Sequence, residues 1–206
     1  MSMPMMPNSM KPIFATIAMA AASALWAGPV LYEYPEESAP SSDFKVWIDG
    51  EPCFVYQSPV ASMAIFEMDS PVEVEVEYAA VAKHVIVRPL SAGVKPRIAG
   101  DRIRFTINEP AQLSVEVNGL IDDKLFLFGH PLQASREGSD PTLHFKQGEL
   151  YEPGVVFLES GDRVRIEGGA VVRGMFIVQD AEDVVIEGTG IIDASMGEET
   201  EFPEGY

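Results

Sequence analysis

Carboxyl groups are the most abundant reactive side chains in this sequence, 32 Asp and Glu against 14 Lys and Arg. Two carboxyls held across a bond supply a general acid and a base. Two held side by side can ligate calcium. Glu167 and Glu187 are the first pair to consider, because they sit at equivalent places in a repeat. Residues 164–174 read Val-Arg-Ile-Glu-Gly-Gly-Ala-Val-Val-Arg-Gly, and residues 184–194 read Val-Val-Ile-Glu-Gly-Thr-Gly-Ile-Ile-Asp-Ala. In that register the two glutamates stack at the strand spacing of about 4.8 Å. Stacked parallel side chains do not flank a substrate, so the pair reads as a solvated one eased by Arg165, with calcium as the sharper alternative.

The other candidates read as structural. Glu73, Glu75 and Glu77 alternate with Val72, Val74 and Val76, the pattern of a strand with one wet face; a calcium- or sugar-binding face is the alternative. His84, His130 and His144 lack metal-ligand spacing, and His130 stands before Pro131 at the start of a loop. Cys53 is the single cysteine, which excludes an intrachain disulfide and a Cys-based metal site. Its apolar neighbours make it a buried small hydrophobe. Gly168-Gly169 and Gly188-x-Gly190 have no helix after them to hold phosphate. No phosphate loop, dinucleotide fingerprint or Gly-x-Ser-x-Gly elbow occurs. We assign no catalytic, cofactor-binding or metal residue and expect no cofactor.

The elements that would carry these residues are strands. Phe44–Ile48 and Cys53–Tyr56 flank Asp49-Gly50, a hairpin turn signal. Ala61–Met68, Val72–Tyr78, His84–Arg88, Arg102–Ile107, Gln112–Val117 and Lys124–Phe128 follow, with a turn at Asn118-Gly119. Short strands without helical periodicity predict a β-sandwich over residues 43–147. After Gly148 the strands shorten and glycine punctuates them. A period near twenty residues with β-branched runs predicts a parallel β-helix over 148–206, in which Val164 stacks on Val184 and Ile166 on Ile186. Only two clear copies of the repeat precede Tyr206, so we expect an incomplete solenoid. Trp47 and Tyr56 would be sugar-stacking aromatics if exposed, but their alternating strands place them in the core.

Composition narrows the partners. The net charge of −18 argues against nucleic acid and anionic membrane. Lys11 is the only charge before Glu33, and Ile13–Leu25 is apolar and too short to span a bilayer comfortably. Residues 1–27 are therefore expected to be an export signal, with a membrane anchor or a buried helix as alternatives. No membrane span is expected once it is removed, and the chain should be secreted or periplasmic. Residues 28–42, rich in Pro, Ser and Glu, read as a linker.

Leu125-Phe126-Leu127-Phe128-Gly129, Pro153-Gly154, the 164–174 repeat and Val184–Asp193 together resemble the start of certain glycoside hydrolases. The similarity is to family 49, the dextranase and isopullulanase group. The ending Gly190-Ile191-Ile192-Asp193 is shared with the polygalacturonase type, family 28. This resemblance covers residues 43–195. It implies an all-β chain, an N-terminal β-sandwich followed by the first coils of a right-handed parallel β-helix. It also implies O-glycosyl hydrolysis of a polysaccharide in full-length relatives. The family's catalytic aspartates lie on later coils, and no matching motif follows Asp193, which belongs to the coil motif. The chain therefore reads as the N-terminal portion of such an enzyme, inactive by itself. The alternative is a non-enzymatic module that binds carbohydrate or protein.

Overall fold

A computed structural model describes residues 28–119, 124–132 and 140–195. The expected export signal at 1–27, and residues 196–206 of the expected solenoid, lie outside them. The described chain is all-β, with one short 3₁₀ turn at Leu90–Ala92. In order, the strands are β1 (Val30–Leu31), β2 (Phe44–Ile48), β3 (Glu51–Cys53), β4 (Val55–Gln57), β5 (Ser62–Met68) and β6 (Val72–Tyr78). Next come β7 (Val85–Arg88), β8 (Arg97–Ala99), β9 (Arg102–Ile107), β10 (Ala111–Val117) and β11 (Leu125–Pro131). The last six are β12 (Leu143–Phe145), β13 (Leu150–Leu158), β14 (Arg163–Ile166), β15 (Val171–Val178), β16 (Val185–Gly188) and β17 (Ile191–Asp193).

These strands build four sheets. Sheet I is antiparallel, ordered β3-β2-β6-β9-β8. Sheet II runs β1-β5-β11-β10-β7, with β4 also on β5. Sheets III (β13-β15-β17) and IV (β12-β14-β16) are parallel. Apolar clusters join them in sequence. Val74, Val76, Phe105 and Ile48 of sheet I meet Phe66, Leu113, Val115 and Leu127 of sheet II. Val164 and Ile166 of sheet IV meet Val172 and Leu158 of sheet III. Between the pairs, Tyr56 and Ile65 of sheet II meet Val171 and Ile191 of sheet III.

At β5 sheet II is thus packed on both faces, and that strand shows where alternation is lost. In β5, Ala64, Phe66 and Met68 enter the first core, while Ile65 enters the cluster toward sheet III. Two dry faces call for apolar residues without alternation, and 61–68 is apolar apart from Ser62 and Glu67. By contrast β6 has one dry face. Val72, Val74 and Val76 are buried, Glu73 is exposed, and Glu75 and Glu77 are half-exposed. Glu75 pairs with Arg102 and Arg104, and Glu77 with Lys45 and Arg102. Trp47 lies half-buried on this outer face of sheet I, not in the core as its alternation suggested. The Arg102 guanidinium sits 3.8 Å from its ring centroid, a cation–π cover that makes a large side chain tolerable at the surface.

Two turns behave as their residues dictate. Asp49-Gly50 and Asn118-Gly119 adopt positive φ at both positions, and at Asp49-Gly50 this lets a two-residue hairpin follow strand twist. The first joins β2 to β3, with Val46 opposite Cys53. The chain then crosses to sheet II, so β4 is not the partner of β2.

The parallel strands correct the expected register. Val164 pairs with Ile186 and Arg165 with Glu187, two residues beyond the sequence repeat. On sheet III the repeat holds, with Val171 opposite Ile191. The turn before β16 is longer than the one before β14, and the turn from β16 to β17 is shorter than that from β14 to β15. Asp180 and Asp183 take positive φ in the longer turn. Val184 therefore falls just before β16, and Glu167 and Glu187 do not stack.

Candidate functional site

The chemistry-bearing residues gather where sheets II and III meet, under the segment 28–42. That segment, read as a linker from its composition, packs on both. β1 pairs with β5. Tyr34 stacks on Phe54 with ring centroids 4.6 Å apart. The Arg173 guanidinium donates to the Glu37 carbonyl at 3.4 Å. Tyr32 lies against Gly168 and Gly169, where a β-carbon would overlap its ring or the adjacent Glu33 carbonyl.

Two polar clusters form at this junction. In the first, Tyr32 donates its hydroxyl proton to Glu67 Oε1 at 2.5 Å and lies 2.9 Å from Thr189 Oγ1. Glu67 is only 8% exposed, and His130 is its register partner on β11. Burial lowers the His130 pKa against the opposing pull of Glu67. Burial, and then the bond to Glu67, raise that of Tyr32. His130 is therefore a strand residue of the junction, not a loop residue. Glu67 escaped the sequence reading; the signal was a lone carboxylate within an otherwise apolar run.

In the second cluster the buried Tyr56 donates to Asp193 Oδ2 at 2.6 Å. The Ser195 amide donates to Asp193 Oδ1 at 3.0 Å, and the Ser195 hydroxyl bonds the same oxygen. Arg173 stands opposite Asp193 in register and pairs with Glu152 at 3.3 Å. Burial pushes the Asp193 pKa up. The bonds from Ser195 and Tyr56, with Arg173 nearby, outweigh it and hold the carboxyl below its ordinary range. A carboxylate so supplied with donors is a poor proton donor at neutral pH. Tyr56 is core, as its alternation indicated, but it faces the parallel strands and carries a polar tip there.

The remaining candidates are engaged elsewhere. Arg165 pairs with Glu187 at 3.1 Å. His144 Nε2 lies 2.7 Å from Glu167 Oε1, and the Gln147 amide donates to Glu167 Oε2 at 3.0 Å. The Gln147 bond, more than burial opposes it, lowers the Glu167 pKa. Cys53 is buried with its thiol directed at the Ile65 carbonyl, and burial pushes its pKa up to about 12, far from a reactive thiolate. His84 is exposed in the segment before β7. Among the described residues no three His, Cys, Asp or Glu side chains converge as metal ligands. No helix there is long and apolar enough to cross a membrane.

No family model matches the chain, and no curated protein matches it. Among solved structures, Dex49A from Penicillium minioluteum is similar in fold, with a TM-score of 0.50 and 14% identity. The likeness covers 81% of this chain and 48% of that one. This chain therefore spans about half the length of that structure.

Proposed function

We propose that this chain is the N-terminal portion of a secreted, polysaccharide-degrading glycoside hydrolase. In this reading sheets I and II are a β-sandwich, and sheets III and IV are the first coils of a right-handed parallel β-helix. The observation that carries it is the likeness to Dex49A, which takes in four-fifths of this chain and half of that one. The dextranase-type resemblance of the sequence points the same way. In this reading the solenoid part, expected from residue 148, also takes in β12, which the parallel pairing of β12 with β14 supports. Residues 1–27 serve as the export signal.

Hydrolysis needs two carboxyls flanking a glycosidic bond, about 6.5–9.5 Å apart for inversion or about 5–5.5 Å for retention. The pair that the repeat singled out is split: Glu187 is held by Arg165 and Glu167 by His144 and the Gln147 amide. The acid and base then belong to later coils, and the chain alone does not hydrolyse glycan. A non-enzymatic module that binds carbohydrate or protein is the second reading, favoured by the clefts on the outer face of sheet II.

The coding sequence beyond the Tyr206 codon separates the two. The hydrolase reading expects further glycine-punctuated coils bearing paired aspartates. A stop codon with no coil-like sequence downstream in any frame would favour the module.

A further inference from the structure

Two clefts open on the outer face of sheet II. One, of about 390 Å³, has Met63, Phe126, Ile192 and Asp193 in its walls. The other, of about 560 Å³, has Arg88, Gln112, Ser114 and again Phe126. Phe126 lines both, so the two clefts adjoin on either side of it and together form a groove along β10, β11 and β5. Much of this face is spent against sheet III, but the groove keeps apolar surface in water. Val60 is 78% exposed, Leu90 70% and Ile192 43%.

Its polar groups are few and its charges are matched within the protein. Arg88 bonds Glu116 at 3.0 Å. Asp193 takes donors from Tyr56 and Ser195 and faces Arg173. The Gln112 amide and the Ser114 hydroxyl add neutral hydrogen-bonding capacity along one wall. Apolar walls with a few convergent polar groups are the usual make-up of a ligand site. Matched charges give a charged ligand no advantage and disfavour a polyanion on a chain of net charge −18.

The geometry points to a neutral oligosaccharide as the ligand of this groove. The ligand class rests on the carbohydrate reading above; the place of the site rests on the groove alone.

Affinity electrophoresis of the full chain through gels containing dextran, pullulan or polygalacturonate tests it. At least one neutral glucan should retard the chain, and polygalacturonate should not. The double variant Gln112→Ala/Ser114→Ala should bind about tenfold more weakly, as loss of one or two neutral hydrogen bonds implies. Phe126→Ala should abolish retardation, with its melting curve recorded as a check on folding. Trp47→Ala, on the opposite side of the molecule, should leave retardation unchanged. Retardation undiminished in the double variant, no retardation by either glucan, or retardation by polygalacturonate would overturn the site. None of these results bears on whether coils follow Tyr206, so the two proposals fail separately.

Discussion

Asp193 is the residue on which the junction's electrostatics turn. Its carboxyl is held below the ordinary value by Ser195, Tyr56 and Arg173 against the opposing effect of burial. A carboxyl with a lower pKa folded than unfolded binds fewer protons in the folded state. Its ionised form therefore stabilises the fold above the unfolded value of about 3.9, and that contribution fades as pH falls through the folded value. Asp193→Asn should cost stability at pH 7, and the gap to the parent should close toward pH 3. Urea denaturation at the two pH values measures it; an equal gap at both would contradict the account. Neither Asp193 nor Glu67 announced this role in the sequence. A coil-end aspartate and a glutamate in an apolar run acquire meaning only when strands distant in the chain place Tyr56 and Tyr32 against them.

At the scale of elements, the glycines of the parallel strands do more than turn corners. Gly188 takes φ +129, and a β-carbon there would overlap the Ile166 carbonyl, which accepts from the Thr189 and Gly190 amides. Gly161 also has positive φ, but a β-carbon added there would meet nothing within 4 Å. Gly161→Ala should therefore cost only backbone strain, about 1–2 kcal/mol. Gly188→Ala should cost about 3 kcal/mol or more, because two coils must part. Equal thermal shifts for the two would contradict the packing described. The positions of most strands were legible from periodicity and glycine spacing, because one-faced strands alternate and short parallel ones are bounded by turns. The register on sheet IV was not legible. Sequence similarity aligns residues, whereas two compensating changes in turn length decide which residues pair.

For the whole molecule, the order of sheets matters more than their number. Sheet II serves one core with its inner face and sheet III with its outer face, and residues 28–42 strap the two. Composition hid that strap: Pro and Ser gave it the look of a linker, while its holding contacts come from Tyr32 and Tyr34. The likeness to Dex49A takes in 81% of this chain, so it is a likeness of fold and not of a local motif. The central proposal is that such a scaffold positions glycan, with the acid and base of hydrolysis supplied by residues outside it. Release of reducing ends from dextran, pullulan and polygalacturonate by the purified chain tests that claim most directly. The account predicts none above a no-protein control; turnover of any of the three that disappears when one carboxylate among residues 148–195 is replaced by its amide would contradict it.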